Sequence, residues 1–268
     1  MPVSAHSNAQ IEPLAHGRSA RAALVTGGGV RIGRAISLAL ARAGFSVAFH
    51  TRSKSTEAGA LAAEIASCGV RAANVVADLA DHDGVLSMVP NAVAAVGALT
   101  VLVNNASEFA DDDVGGLDRV QWDRHFAVNL RAPVFLSQAF ADQVPRGVDA
   151  CIVNITDQRT LKPVPRQFSY TLTKCALHAA TILLAQALAP KVRVNAVAPG
   201  PTLPSPRQDA AQFAEQTKAL PLERGPRPED IAATVVYLVS AERVTGETIA
   251  VDGGQHIAWK TPDVLGRE

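Results

Sequence analysis

Short runs of β-branched and other apolar residues alternate along the chain with longer Ala- and Leu-rich stretches, in which apolar residues recur every three or four positions. The short runs are typical of buried strands, and the longer stretches are typical of helices that pack on one face. Repetition of this alternation predicts strand–helix units, and hence a parallel sheet with helices on both faces. Seven strands are predicted: Ala22 to Thr26, Ser46 to His50, Arg71 to Val76, Thr100 to Asn104, Ala150 to Thr156, Arg193 to Val197 and Thr248 to Val251.

The predicted units form one α/β domain, residues 20–268, because no internal repeat or linker marks a second domain. The preceding residues 1–19 are polar, poor in aromatic side chains and without periodicity, which is typical of a mobile tail. A Pro-rich stretch, residues 200–228, interrupts the alternation and contains one short helical patch from Asp209 to Ala219. This composition indicates a movable loop, which we expect to contact the substrate.

The overall composition narrows the class of protein. Hydrophobic residues make up 48% and aromatic residues 4%, a mixture that suits parallel strands buried between helices. Lys plus Arg and Asp plus Glu balance at 25 each, without the basic block that is typical of nucleic-acid-binding and membrane-surface proteins. We therefore expect a small-molecule substrate and neither a nucleic-acid nor a membrane partner.

The cysteines and the hydropathy bear on the compartment. Three scattered cysteines are too few for a disulfide framework or a four-ligand metal site, so we expect no metal and a reducing environment. No apolar run approaches the ~20 residues that span a bilayer, and the first segment lacks the apolar core of a signal peptide. These features favour a cytoplasmic protein.

A glycine-rich turn, Thr26 to Gly33, follows the first predicted strand and leads into apolar residues at helical spacing. Glycines let the backbone approach a pyrophosphate closely, and the free N–H groups of a helix N-terminus attract its charge. The turn predicts the dinucleotide site of a doubly wound Rossmann fold, with Gly27, Arg31 and Ile32 at the cofactor. The alternative is a turn that only closes the corner between strand and helix.

The end of the second strand indicates which nicotinamide cofactor binds, because a carboxylate there holds a ribose 2′-hydroxyl whereas a basic residue accommodates a 2′-phosphate. This chain has His50, Thr51, Arg52 and Ser53 at that place, and no carboxylate. Arg52 and Ser53 can hold a phosphate by charge-assisted hydrogen bonds, so the sequence favours NADPH, with His50 among its contacts. The alternative for Arg52 is an ordinary solvated surface residue.

Tyr170 and Lys174 lie four residues apart in a stretch, Phe168 to Leu188, that predicts a long helix. This spacing puts both side chains on one helix face. A phenol titrates near ~10, and a neighbouring cation eases its exchange of a proton around neutrality, which is the role we expect for Lys174. Taken alone, such a pair is more often structural than catalytic.

Polar or glycine-containing segments also follow other predicted strands. Asp78-Leu79 follows the third strand, Asn104 to Ser107 closes the fourth, and Pro199-Gly200 follows the sixth. All of them fall at the carboxyl ends of strands, which is the edge where open α/β sheets bind ligands. We therefore expect these segments to meet at one site.

Taken together with Val251 to Gly254, these motifs resemble the short-chain dehydrogenase/reductase family over nearly the whole chain after the tail. The resemblance implies a homotetramer that binds NADPH, with Asn129, Tyr170 and Lys174 in the catalytic group. It also implies cofactor contacts at the following residues: Asp78, Leu79, Asn105, Ala106, Ser107, Tyr170, Lys174, Pro199 and Gly200.

One position departs from the family pattern, which has a serine thirteen residues before the tyrosine. Counting back from Tyr170 gives Asp157, so an acid replaces a hydroxyl beside the reacting atom. Its neighbour Thr156 should point to the other side of the strand if the alternation persists. A carboxylic acid can take part in delivering a proton to a ring nitrogen, as reduction of a C=N bond requires, whereas a ketone needs only the tyrosine.

This chain resembles one branch of the family, the pteridine reductases, which include enzymes similar to dihydromonapterin and dihydrofolate reductases. They combine an aspartate at this place, an arginine in the glycine turn, and Asn-Asn-Ala-Ser followed by phenylalanine, which occur here as Asp157, Arg31 and the run Asn104 to Phe109. The resemblance implies that Phe109 and the nicotinamide sandwich a flat pterin, and that Arg31 organises the cofactor phosphates and the substrate. The substrate contacts it implies are Arg31, Ser107, Phe109, Asp157 and Tyr170.

Each of these residues has a simpler alternative role. Phe109 could anchor its loop, Arg31 could only balance pyrophosphate charge, and Asp157 could be a helix or loop cap. His125, Trp122 and Cys175 fall on predicted helices and are assigned to packing, while Glu108 has no interpretation.

The function that the sequence favours is NADPH-dependent reduction of a pterin, such as dihydrobiopterin, dihydromonapterin or dihydrofolate. Tyr170 would donate the proton, Lys174 would tune it, Asn129 would support the proton relay, and Asp157 would assist at the ring nitrogen. One alternative is a carbonyl reductase acting on a 3-oxoacyl thioester or another ketone. A second alternative is a protein that senses NADPH without catalysis.

Overall fold

The computed structural model describes residues 21–205 and 208–259, so the predicted tail, residues 1–19, lies outside the described residues. Within them, seven parallel strands form one sheet in the order 3-2-1-4-5-6-7. The strands are β1 Ala22–Val25, β2 Ser46–Thr51, β3 Ala72–Val76, β4 Leu99–Asn104, β5 Cys151–Ile155, β6 Arg193–Pro199 and β7 Thr248–Val251.

Eight α-helices are present in the described part of the chain, and six of them cover the two faces of the sheet. They are α1 Arg31–Arg42, α2 Thr56–Ser67, α3 His82–Val96, α4 Arg119–Phe126, α5 Ala132–Gln143, α6 Phe168–Leu188, α7 Ala210–Lys218 and α8 Pro228–Ser240. One core cluster joins the sheet to α3, α5 and α6, and the other joins it to α1, α2 and α8. The predicted doubly wound fold is therefore confirmed.

Most strand side chains are apolar because both faces of the sheet are covered, and the buried polar residues Asn104 and Asn154 are hydrogen-bonded to each other. Leu24 of β1 packs in the α3–α5–α6 cluster, whereas its neighbour Val25 packs in the α1–α2–α8 cluster, and both side chains are fully buried. Successive side chains point to opposite faces, so each strand contributes to both cores. Burial of an aliphatic side chain of this size stabilises the fold by roughly 1.5–3 kcal/mol.

Helix positions agree with the sequence pattern, and strand ends differ by one or two residues. The long helix begins and ends at Phe168 and Leu188 as predicted. The predicted helical patch becomes α7, and Asp209 is its N-cap, since the Asp209 carboxylate accepts a hydrogen bond from the backbone N–H of Gln212. Pro199, predicted just after a strand, is the last residue of β6, where it has only a carbonyl to contribute to pairing.

The length and hydropathy of α6 correct one expectation. This helix has 21 residues and a mean hydropathy of 1.2 over an 18-residue window, so it is long and apolar enough to cross a membrane by length and composition. Its buried side carries Ser169, Thr173 and Lys174 and packs against the sheet. One third of this apolar stretch is buried inside the protein, and the hydroxyl and ammonium groups on the buried side have protein partners.

The strand order reverses between β1 and β4, because the chain first continues outward through β2 and β3 and then returns to the other side of β1. Loops that leave the sheet in opposite directions open a crevice at the carboxyl ends of such strands. This topology determines where the predicted site residues meet.

Candidate active site

A cleft of about 750 Å³ lies at the carboxyl ends of the strands. Nearly all of the residues predicted for the site line it: Gly27, Arg31, Ile32, His50, Arg52, Asp78, Leu79, Asn105, Ala106, Ser107, Phe109, Asp157, Tyr170, Lys174, Pro199 and Gly200. Among the described residues, Asn129 and Ser53 are the predicted site residues that do not line this cleft. Segments that are far apart in the sequence therefore converge as the topology requires.

Close packing holds the glycine turn against the end of β1. Gly27 has a φ of +60°, and a Cβ on Gly33 would lie 2.1 Å from the Gly27 carbonyl oxygen. A Cβ on Gly28 would lie 2.8 Å from the Cβ of Phe49, so neither position tolerates a side chain. The N-terminus of α1 therefore reaches the cleft with its backbone closely approachable at the glycines, which is the geometry that binds phosphate groups.

Thr26 and Asn105 join the glycine turn to the loop after β4. The Thr26 hydroxyl accepts hydrogen bonds from the backbone N–H groups of Asn105 at 2.9 Å and Ala106 at 3.0 Å. The Asn105 side chain donates to the Thr26 carbonyl oxygen at 2.8 Å. These bonds hold the two loops that flank the centre of the cleft in a fixed relation.

His50, predicted as a cofactor contact, has both ring nitrogens engaged by protein. Its Nδ1 accepts from the backbone N–H of Gly27 at 3.0 Å, so its Nε2 carries the proton and donates to the carbonyl oxygen of Ala77 at 2.9 Å. Burial lowers the pKa of His50, which favours this neutral form. His50 thus supports the glycine turn from below, and the Gly27 N–H has a protein partner.

The residues after β2 divide between the cleft and the outer surface. Arg52 lines the cleft, and the pKa of the Asp78 carboxyl group is lowered first by the Ala80 backbone N–H, then by Arg124, and least by Arg52. Ser53 is exposed, and its carbonyl oxygen accepts from the Thr51 hydroxyl at 2.9 Å. A contact between Ser53 and the cofactor stays a prediction.

Tyr170 and Asp157 form a direct hydrogen bond at the other end of the cleft. The phenol hydroxyl donates to Oδ2 of Asp157 at 2.8 Å. Burial, followed by the charge of Asp157, raises the pKa of Tyr170 well above its ordinary value. Tyr170 therefore keeps its proton over the physiological range, as a proton donor must.

Lys174 lies beneath Tyr170 and is nearly fully buried. Its Nζ donates to the carbonyl oxygen of Ile155 at 2.8 Å and lies 5.7 Å from the centre of the Tyr170 ring. Burial lowers the pKa of Lys174 to about 8. Burial and Asp157 together leave the pKa of Tyr170 raised, and the expected part of Lys174 in easing release of the Tyr170 proton stays a prediction.

Asp157 serves two purposes through its two oxygens. While Oδ2 accepts from Tyr170, Oδ1 accepts from the backbone N–H of Arg159 at 2.8 Å and caps a short 3₁₀ turn, Gln158–Thr160. The capping role and a role at the reacting atoms are therefore compatible. Thr156 also lines the cleft, and its hydroxyl donates to the Val197 carbonyl oxygen at 3.0 Å, so the expectation that it points to the other side stays a prediction.

Asn129 lies in a π-helical turn, Ala127–Arg131, and is fully buried behind the cleft. Its Oδ1 accepts from the backbone N–H of Glu108 at 2.8 Å, and its Nδ2 donates to the Glu108 carbonyl oxygen and to the Thr173 hydroxyl. Such turns are frequent at functional sites. Here the side chain fixes the loop after β4 to α6, and a part in a proton relay stays a prediction.

Phe109, carried by that loop, forms a wall of the cleft beside Tyr170. The two rings meet edge to face, with centres 4.7 Å apart, and Phe109 keeps 40% of its surface exposed. His125, predicted to pack, is fully buried and also holds this loop, because its Nε2 accepts from the Ala110 backbone N–H and its Nδ1 pairs with the Ser169 hydroxyl. Phe109 therefore presents a large apolar surface to a ligand.

Arg31 reaches across the cleft to the predicted substrate loop. Its Nη2 donates to the carbonyl oxygens of Leu203 at 3.3 Å and Pro204 at 3.1 Å. Arg31 also has a φ of 51°, a left-handed conformation that is strained for a residue with a Cβ and that is found most often at functional sites. Arg31 therefore connects the glycine turn, at the end of the cleft suited to phosphate groups, with the predicted substrate loop.

Several cleft residues were not predicted from the sequence. They are Arg124 and Glu108 near the cofactor end, and Arg159, Phe213, Gln216 and Gln255 at the substrate end. Glu108, which had no interpretation, pairs with Arg124 at 2.9 Å, and Arg124 also pairs with Asp78 at 3.4 Å. These residues belong to no local sequence motif, because each is brought to the cleft by the way its loop or helix packs in the folded chain.

The chain matches the family model described as enoyl-(acyl carrier protein) reductase over residues 29–256. Among curated proteins, it is 35% identical to the 3-oxoacyl-[acyl-carrier-protein] reductase FabG of Staphylococcus aureus, with 88% of this chain and 98% of that protein aligned.

Among solved structures, the chain is similar to the FolM alternative dihydrofolate reductase 1 of Brucella canis, complexed with NADP, at a TM-score of 0.86 and 47% identity over 92% of this chain and 98% of that one. The same enzyme from Brucella suis, also with NADP, has a TM-score of 0.87 and 49% identity over 90% and 97%. The chain belongs to the short-chain dehydrogenase/reductase family of oxidoreductases.

Proposed function

We propose that this protein is an NADPH-dependent reductase of dihydropterins, with Tyr170 as the proton donor. The observation that carries the proposal is Asp157, whose carboxylate lies where the family usually has a hydroxyl and accepts the Tyr170 hydrogen bond at 2.8 Å. Similarity to two FolM alternative dihydrofolate reductases supports the same substrate class.

The phosphate end of the cleft fits NADPH. The glycine turn leaves no room for a Cβ at Gly28 or Gly33, so backbone N–H groups and the N-terminus of α1 can approach a pyrophosphate. Arg52 lines the cleft at the end of β2, where a guanidinium suits a 2′-phosphate and a carboxylate would reject it.

The substrate end of the cleft fits a flat heteroaromatic ring. The exposed Phe109 ring offers a stacking surface beside Tyr170, and both side chains are held by the loop after β4 and by α6. A mostly apolar wall with a few fixed polar groups is typical of sites that orient such ligands.

Reduction of a ring C=N bond adds a hydride to carbon and a proton to nitrogen, and NADPH, when bound, would supply the hydride. Tyr170 holds a proton, and Asp157 accepts its hydrogen bond as a carboxylate. Asp157 would serve the nitrogen as an acid after it takes up a proton from Tyr170 or from solvent, and one proton in total is delivered in each reduction. The Lys174 ammonium, buried beneath the phenol, stabilises the charge that remains on Tyr170 when the proton leaves.

The competing function is reduction of a 3-oxoacyl thioester, which the similarity to a 3-oxoacyl-[acyl-carrier-protein] reductase favours. A ketone takes its proton at oxygen from the tyrosine alone, so it has no use for a second acid. Asp157 therefore favours the pterin over the ketone.

A substrate panel tests the proposal. Purified protein with NADPH is given dihydrobiopterin, dihydromonapterin, dihydrofolate and 3-oxoacyl esters, and the absorbance of the reduced cofactor is followed. We expect kcat/KM on the best pterin to exceed that on every ketone by at least tenfold. Preference for a 3-oxoacyl ester would identify a carbonyl reductase instead, and tight NADPH binding without turnover on any compound would identify a sensor.

We also propose a homotetramer in the cytoplasm. Leu172, Ile182 and Leu183 of α6 and Phe135 of α5 are apolar and exposed, which suits a helix-to-helix interface between copies of the chain. The three cysteines are free, as expected of a reducing compartment. Sedimentation of the purified protein and fractionation of the source cells test the two statements, and a monomer or a secreted protein would contradict them.

A further inference from the structure

Arg159 carries an unusual guanidinium group at the substrate end of the cleft. Its Nη1 is buried and has no hydrogen-bond partner among residues 21–205 and 208–259, and no carboxylate in those ranges forms an ion pair with it. Arg124, which lines the same cleft, is paired with both Glu108 and Asp78. A buried donor without an acceptor is rare in folded proteins and calls for an explanation.

Aromatic contacts hold this guanidinium in place. Its central carbon lies 5.8 Å from the ring centre of Phe109 and 5.8 Å from that of Tyr170, within the range of cation–π attraction. Its backbone is fixed as well, because the Arg159 N–H donates to Asp157. Contacts with ring faces leave Nη1 without an acceptor, and Arg159 lines the cleft that a ligand beside Phe109 would enter.

The charges around this end of the cleft indicate what that ligand carries. Glu108 and Asp78 are neutralised by Arg124, and both oxygens of Asp157 already accept hydrogen bonds from Tyr170 and from the Arg159 backbone. The planar fork of a guanidinium matches a carboxylate through two parallel hydrogen bonds. A carboxylate on the substrate is therefore the partner that Arg159 lacks.

We propose that Arg159 binds a carboxylate on the tail of the substrate and so selects pterins that carry a glutamate, such as dihydrofolate, over dihydropterins with neutral side chains. This inference rests on the proposed function, since it assumes that the pterin ring lies beside Phe109. It adds a specificity-determining residue to the cleft.

An alternative role for Arg159 is an electrostatic effect on Tyr170. Burial and the Asp157 charge raise the pKa of Tyr170, and the Arg159 charge lowers it. Through this effect alone, Arg159 would act on proton transfer and not on substrate binding. In that case its loss would lower kcat on every substrate. A carboxylate contact instead changes KM on the acidic substrate only.

Kinetics of Arg159→Gln separate these roles. We expect KM for dihydrofolate to rise at least tenfold with kcat changed less than twofold, and KM for dihydromonapterin to change less than twofold. Arg159→Lys, which keeps the charge without the fork, should lie between the parent and Arg159→Gln. Arg166→Gln, which removes the same charge from an exposed position outside the cleft, is the matched control and should behave like the parent. Equal losses on both substrates would overturn the inference.

Binding without turnover tests Arg159 separately from the reaction. The protein saturated with oxidised NADP is titrated with folic acid and with 6-hydroxymethylpterin in a calorimeter. We expect the parent to bind folic acid at least tenfold more tightly, with an advantage that shrinks as salt rises, and Arg159→Gln to lose that advantage. Failure of the parent to reduce any pterin would refute the proposed function while this preference could still be seen. Equal binding of the two ligands by the parent would refute the role of Arg159.

Discussion

The phosphate end of the cleft is built from backbone and strand ends, whereas the substrate end is built from side chains on loops. At the phosphate end, packing under Gly28 and Gly33, the His50 bonds and the Thr26 hydroxyl leave little freedom. At the substrate end, Phe109, Arg159 and Phe213 reach the cleft from three separate loops or helices.

This difference teaches which kind of specificity each end can provide. A backbone cradle recognises the pyrophosphate that all dinucleotides share, so it can be kept while substrates change. Side chains on loops can be exchanged without disturbing the sheet, and they set which ring and which tail fit. Variants at the two ends should therefore affect the cofactor and the substrate separately.

The largest effect is expected for Tyr170→Phe. Loss of one hydroxyl removes the proton donor but leaves the ring to pack against Phe109, so turnover should fall ~10²- to 10⁴-fold. NADPH affinity, measured by fluorescence titration, should change less than about twofold because the phosphate end is untouched. Tyr237→Phe, at the exposed tyrosine of α8, is the control. A variant that keeps more than half of the parent activity would show that Tyr170 is not the donor.

The pH dependence of kcat should reflect Lys174. Its charged form stabilises the phenolate left on Tyr170, and the pKa of Lys174 is lowered to about 8, so the group loses its proton as pH rises through that value. The rate should be level below about pH 7 and fall about tenfold by pH 9. Tyr170 does not produce this limb, since its own pKa is raised. A rate that increases with pH, or stays level to pH 10, would contradict this assignment.

Cofactor choice should depend on Arg52. The parent should prefer NADPH over NADH by at least tenfold in apparent affinity, about 1.4 kcal/mol, because the guanidinium can bind the 2′-phosphate. Arg52→Ala should shrink that preference and leave the affinity for NADH nearly unchanged. Arg42→Ala, an exposed arginine at the end of α1, is the control. Equal use of both cofactors by the parent would refute the prediction.

The smallest effect is expected for Phe109→Ala, which removes the stacking wall at the substrate end. A diaminopteridine inhibitor should bind several-fold more weakly, in keeping with the ~0.5–1.5 kcal/mol of an aromatic pair, while NADPH affinity stays the same. The parent should bind this inhibitor more tightly when NADPH is present. An inhibitor whose affinity ignores both the cofactor and Phe109 would have its site elsewhere.

Much of the fold follows from sequence because its signals are local. Buried parallel strands are mostly apolar, so the run around Leu24 and the other six strands can be found in the sequence, and the period of α6 locates its two ends. The glycine turn can also be found from the sequence, because its residues are neighbours in the chain. Strand ends are less certain, since Pro199 pairs with β7 by a register that no neighbouring residue reveals.

The substrate end could be predicted only in part. Asp157, Phe109 and Tyr170 stand in motifs of known spacing, whereas Arg159 and Phe213 reach the cleft through contacts between distant segments. The sequence also could not tell that both nitrogens of His50 bond to backbone, or that burial and the Asp157 charge raise the pKa of Tyr170. Burial and hydrogen-bond partners are properties of the folded chain.

The most direct test of the pterin assignment is Asp157→Ser, assayed in parallel on dihydropterins and on 3-oxoacyl esters. The substitution introduces a hydroxyl that can accept from Tyr170 in place of the carboxylate oxygen and removes the carboxyl group, so the loss is specific to that group. We predict that kcat/KM on the pterin falls at least tenfold, about 1.4 kcal/mol of transition-state stabilisation, while activity on the ketone stays level or rises. Unchanged pterin turnover in Asp157→Ser would contradict the account.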